Sequence, residues 1–128
     1  IDDYAHHPKE IGACIAAVRE CFSNRKITGI FQPHLYSRTK DFVGEFAEAL
    51  GKLDHIVLTD IYPAREEPIE GVNAEFLLQK IKHENKVVVS KENLVEYVKS
   101  LESIELLLTM GAGDIGALVP QFEQLFKN

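Results

Sequence analysis

His34, Tyr36, Ser37 and Arg38 stand together directly after an apolar run that Pro33 terminates. Arginine is always charged and grips a carboxylate or phosphate through two parallel hydrogen bonds, and histidine donates, accepts or holds a proton near neutral pH. A second polar group, Asp2, Asp3, Tyr4, His6 and His7, opens the chain. A third is GAGDIG, in which Gly111, Gly113 and Gly116 satisfy GxGxxG, a spacing that lets backbone approach an anion at a helix start. The chemistry on offer is anion binding beside proton-carrying imidazoles. Each group also has a plainer reading. Ser37 or Thr39 could be an N-cap with Arg38 in solvent, the first residues a solvated loop, and the glycines a tight turn. Adjacent histidines could ligate a metal, but no cysteine or histidine lies at a structural zinc spacing, so no metal site is assigned.

To meet, these groups need a scaffold, and hydrophobic periodicity supplies one. From Lys9, the residues Ile11, Cys14, Ile15, Val18 and Phe22 repeat at helical spacing after Pro8, which suits a first helical turn. A buried strand is predicted over 26–32. A helix follows through Phe42, Val43, Phe46, Ala49 and Leu50, with Gly51 in the place of a left-handed cap. His55–Ile61 reads as the next strand, and Tyr62–Val72 as a loop whose Glu66 and Glu67 form a solvated turn. Asn73 is placed to cap a helix through Phe76, Leu77 and Ile81. Lys86–Val89 is a strand, Ser90 a cap for a helix through Leu94, Val98 and Leu101, and Ile104–Met110 the last strand. The final helix carries Ile115, Leu118, Val119, Phe122 and Leu125, with Pro120 expected to kink it.

The order is a helix, then four repeats of strand and helix. Such alternation implies an α/β fold, a Rossmann-like three-layer sandwich with a mostly parallel sheet and helices on both faces. In such sheets ligands bind outside the carboxyl ends of the strands, where His34 to Arg38 fall.

The chain has 128 residues, 45% of them hydrophobic, enough for one domain core. A net charge of -6 argues against a nucleic-acid partner. No apolar run approaches the ~20 residues that span a bilayer, so a cytoplasmic domain without membrane contact is expected. Cys14 and Cys21 lie seven apart on one predicted helix. That puts them roughly 10 Å apart, beyond disulfide reach, and they read as reduced core thiols. GAGDIG follows the last strand rather than the first and lacks an acidic residue about 20 positions on. Dinucleotide binding, a tight turn and an anion contact in a larger site all remain open for it. No GxxxxGK[ST] loop occurs anywhere.

Four segments in order, DDYAHHP (Asp2 to Pro8), FQPHLYSRT (Phe31 to Thr39), DIYPAREEPI (Asp60 to Ile69) and GAGDI (Gly111 to Ile115), resemble the C-terminal domain of Mur ligases. The resemblance covers essentially residues 1–128 and implies a domain that brings the amino acid, with the UDP-sugar domain and the central ATPase domain lying outside this chain. The missing phosphate loop is then accounted for. The block at Phe31 to Thr39 favours a bacterial, cytoplasmic enzyme joining L-alanine to UDP-N-acetylmuramate over the branch that recycles murein tripeptide. A nucleotide-binding module without catalysis is the other alternative. The implied reaction is ATP-driven amide formation through an acyl phosphate, with Mg2+ and ATP bound mainly by the central domain and the isolated domain inactive.

By motif position, the resemblance gives Asp3 to the ATP ribose and His6 and His34 to catalysis. It gives Tyr4, His34, Arg38, Gly111 and Gly113 to L-alanine. Some members carry Arg where this chain has Leu35, which leaves Arg38 or another domain to supply that charge.

Overall fold

A computed structural model describes residues 1–126. Its centre is a five-stranded sheet in the order β1-β5-β2-β3-β4, formed by β1 (Asp2–Asp3), β2 (Ile27–Phe31), β3 (His55–Leu58), β4 (Lys86–Val88) and β5 (Leu106–Met110). Every pairing is parallel. In β2 all five residues are buried, as expected of a central strand covered on both faces.

Side chains alternate between two cores because strand residues have period two. Phe31, Ile56, Leu58 and Leu108 face α1 (Pro8–Cys21), α3 (Val43–Leu50) and α4 (Ala74–Lys80). Ile30, Val57 and Leu107 face α5 (Leu94–Ser100) and α6 (Val119–Leu125). The three-layer α/β sandwich is therefore as the periodicity implied. Gly29 is where β2 meets the helical layer most closely: a Cβ there would lie 2.4 Å from a Leu53 methyl.

Several local expectations change. The opening residues pair with β5, Asp2 beside Thr109 and Asp3 beside Met110, so the segment read as a loop enters the sheet. Two residues are too few to show a period. Helix starts earlier after Pro33 than an N-cap at Ser37 or Thr39 would allow: α2 (Tyr36–Asp41) precedes α3, and the two break at Phe42. Gly51 has φ -62°, an ordinary right-handed value, so its placement is not a left-handed cap. Asn73 does cap α4, its side chain accepting from the Phe76 amide at 2.9 Å, whereas Ser90 makes no capping bond and a single tight turn leads into α5. Pro120 falls in the first turn of α6, where it costs no hydrogen bond and causes no kink. Both cysteines are free thiols, but only Cys14 is partly buried, and Cys21 is exposed rather than in the core.

Candidate functional site

At the carboxyl end of β2 the chain turns through Pro33 into α2, and at the carboxyl end of β3 it enters the loop that begins at Tyr62. The two segments are locked by a parallel bridge between His34 and Tyr62, with the Leu35 amide donating to the Tyr62 carbonyl at 2.8 Å. The Tyr62 ring stacks on His34, centroids 5.5 Å apart and planes 27° from parallel. From the other side comes the entry segment: His6 lies 5.8 Å from His34 and Tyr4 5.7 Å from His6, centroid to centroid. Arg38 is in the second position after Tyr36 on α2. The imidazoles and guanidinium that the sequence singled out thus converge.

Their hydrogen bonding is incomplete in a telling way. His34 Nδ1 and Arg38 Nη1 are buried and have no partner, although buried polar atoms are as a rule satisfied. Burial first, and then the charges of Arg38 and His6, lower the His34 pKa from 6.5, against a smaller opposing effect of Glu66. His34 is therefore neutral at pH 7. His6 Nδ1 donates to the Tyr4 carbonyl at 3.1 Å and lies 3.5 Å from Glu10 Oε1, which leaves Nε2 as the ring nitrogen not engaged by either.

His7, read as one cluster with His6, does something else. It is the N-cap of α1, Nδ1 accepting from the Lys9 amide at 3.3 Å, while Glu10 accepts from the His7 amide at 3.0 Å. This capping fixes the direction in which the entry segment leaves the helix.

The glycine loop closes the cleft from β5. Gly111 has φ +151°, and its amide donates to the Asp3 carbonyl at 3.2 Å. In this structure that amide is engaged by the sheet. A Cβ on Gly113 would lie 2.6 Å from Tyr62 Cγ and 2.6 Å from Gln32 Oε1. The missing side chain makes room for Tyr62 and Gln32, and a dinucleotide pyrophosphate would have to displace both. Gln32, 2% exposed, donates to Asp114 at 2.7 Å and accepts from the Ile115 amide at 2.9 Å. Asp114 is also paired with Lys91.

Residues 1–113 match the family model described as Mur ligase, glutamate ligase domain. The chain belongs to the Mur ligase family. It is 49% identical over 127 residues to UDP-N-acetylmuramate--L-alanine ligase of Flavobacterium johnsoniae, covering 99% of this chain and 28% of that protein. It is 53% identical over 119 residues to the ligase of the same name from Flavobacterium psychrophilum, covering 93% of this chain and 26% of that protein. The chain thus spans about a quarter of the length of these curated relatives. Among solved structures, UDP-N-acetylmuramate-alanine ligase from Thermotoga maritima superposes with a TM-score of 0.73 at 33% identity, over 97% of this chain and 25% of that one. A murein peptide ligase from Psychrobacter arcticus reaches a TM-score of 0.72 at 15% identity, covering 95% of this chain and 26% of that one, and shares the fold.

Within this Mur ligase domain, sequence reasoning missed Tyr62, Glu66 and Gln32. Tyr62 and Glu66 lie in a loop read as solvent-facing, and only their place within the DIYPAREEPI segment could have drawn attention to them. Among the described residues no group of three or more His, Cys, Asp or Glu could hold a metal ion, and no helix is long and apolar enough to cross a membrane.

Proposed function

We propose that this Mur ligase domain receives L-alanine in a cytoplasmic enzyme that joins it to UDP-N-acetylmuramate in peptidoglycan synthesis. The observation that carries the reading is the pair of buried, unpartnered atoms, His34 Nδ1 and Arg38 Nη1, in a chain about half identical to ligases of that name. The murein-recycling alternative has less sequence support: the murein peptide ligase from Psychrobacter arcticus is 15% identical, and a domain from a candidate tripeptide-adding ligase of Haemophilus ducreyi is 21% identical.

Each residue then has a role. Arg38 binds the alanine carboxylate through charge-assisted hydrogen bonds, and the Gly113 amide is assigned to the same carboxylate. The alanine ammonium must lose a proton before its nitrogen can attack the activated carboxyl, and neutral His34 or the His6 Nε2 lone pair takes it. Tyr4, 70% exposed, covers the outer side of the site. Asp3 is exposed, with one carboxylate oxygen accepting from the Ala5 amide at 2.8 Å; an exposed carboxylate suits the two hydroxyls of a ribose. ATP supplies the phosphoryl group that activates the muramoyl carboxyl, and Mg2+, carried by residues outside this chain, neutralises its phosphate oxygens. The domain's own contribution is to orient the amino acid and exclude water.

Incubating the 128-residue chain with ATP, Mg2+, UDP-N-acetylmuramate and L-alanine tests this directly. No amide product is expected from the chain alone, and product is expected when it is part of a polypeptide that also carries a phosphate-loop domain. Turnover by the chain alone would overturn the reading.

A further inference from the structure

Glu66 lies in the loop between β3 and α4, and its carboxylate is fully engaged by one short stretch of chain. Oε1 accepts from the Tyr36 amide at 2.6 Å and the Ser37 amide at 3.1 Å, and Oε2 accepts from the Ser37 hydroxyl. Immediately before these residues stands Leu35, with φ +73° and ψ 137°. A non-glycine residue rarely adopts a positive φ, and it persists only where its surroundings over-determine it. They do so here. The Leu35 amide donates to Tyr62, and its carbonyl accepts from the buried Thr39 hydroxyl at 2.8 Å. The residues on either side of this strained turn are His34 and, one helical turn on, Arg38.

Glu66 is also close enough to that arginine to feel its charge, yet it does not consume it. Among the described residues the ion pairs between fixed charges are Arg19 with Asp54 and Lys91 with Asp114, and Glu10 lies 3.5 Å from His6 Nδ1. Glu66 is in none of them, and Arg38 Nη1 stays without a partner. The Ser37 hydroxyl above all, with the Ser37 and Tyr36 amides, holds the Glu66 carboxyl below the usual range against the effect of burial. It is ionised and occupied.

We propose that Glu66 is a positioning residue: tied to the start of α2, it fixes the turn at Leu35, sets Arg38 against His34, and leaves the guanidinium free for a substrate carboxylate. The last clause rests on the reading given above; the lock itself does not. His34 is faced by Arg38 from α2, by His6 from the entry segment, and by Tyr62 and Glu66 from the loop after β3.

The test is Glu66→Gln, which keeps the volume and removes the charge, with the exposed neighbour Glu67→Gln as control. In the 128-residue chain, NMR titration of His34 should show its pKa falling further, because the carboxylate that raises it is gone, and the Ser37 amide proton should move upfield. In the full-length ligase the KM for L-alanine should rise about tenfold or more, since misplacement of ~1 Å suffices, with the KM for ATP within about twofold. Should Glu66→Gln fail to fold, Ser37→Ala, which deletes one of the three bonds, should raise the alanine KM in the same direction by a smaller factor. A variant whose His34 titration, Ser37 amide and alanine KM all match the parent overturns the proposal. If His34 and the Ser37 amide shift while the alanine KM stays, the lock stands and the alanine assignment fails.

Discussion

His6 and His34 come from the entry segment and the end of β2, yet their rings lie 5.8 Å apart, and Arg38 adds its charge to the same cluster. Burial above all, and then Arg38 and His6, disfavour a proton on His34. That gives the domain a pH dependence of definite sign.

His34 has its pKa lowered from 6.5, first by burial and then by Arg38 and His6. The unfolded chain therefore binds the proton before the folded one does. Stability from this residue is fully present above its unfolded value near 6.5 and is lost as pH falls through the lowered folded value. Urea unfolding between about pH 7.5 and 5 should show this loss, and His34→Gln should flatten it in that window. An unchanged slope would contradict the assignment.

Gly113→Ala should disable the site while sparing the fold. The new Cβ would meet the Tyr62 ring and Gln32, and Tyr62 is what His34 stacks on. The expected outcome is a loss of about 1–3 kcal/mol in stability with the circular dichroism spectrum retained. The His34 ring resonances should move. A variant with unshifted His34 signals would show that the loop is not coupled to the imidazole.

Gln32→Leu removes a buried amide that satisfies two partners. It leaves the Ile115 N–H buried without an acceptor and deprives Asp114 of a donor, a change that costs about 1–3 kcal/mol. The urea midpoint should fall with the m-value unchanged. Asp114→Asn should cost less, under about 1 kcal/mol, because the Lys91 pair it breaks is 39% exposed on each side.

The layers of the sandwich were legible in the sequence because burial on both faces leaves apolar runs such as Ile27, Ile30 and Phe31, and helices leave a period such as Ile11, Ile15 and Val18. His34 and Arg38 were legible as well, standing where a strand gives way to polar residues. Glu66 was not. A glutamate beside Glu67 in a loop with prolines carries no local mark of being the acceptor for two amides of a distant helix. The glycine loop stayed open to several readings for a related reason. Its spacing matched a phosphate cradle, but the space at Gly113 is filled by Tyr62 and Gln32, whose proximity only the fold creates. The strand at Asp2 to Asp3 escaped because its pairing is with the opposite end of the chain.

The most direct test of the central claim, that Arg38 and His34 face the amino acid, is the steady-state kinetics of Arg38→Ala in the full-length ligase. Loss of a charge-assisted carboxylate contact worth about 1.5–3 kcal/mol should raise the KM for L-alanine about 10- to 100-fold, with the KM for ATP within about twofold. Equal increases in both constants, or none in the alanine KM, would contradict it.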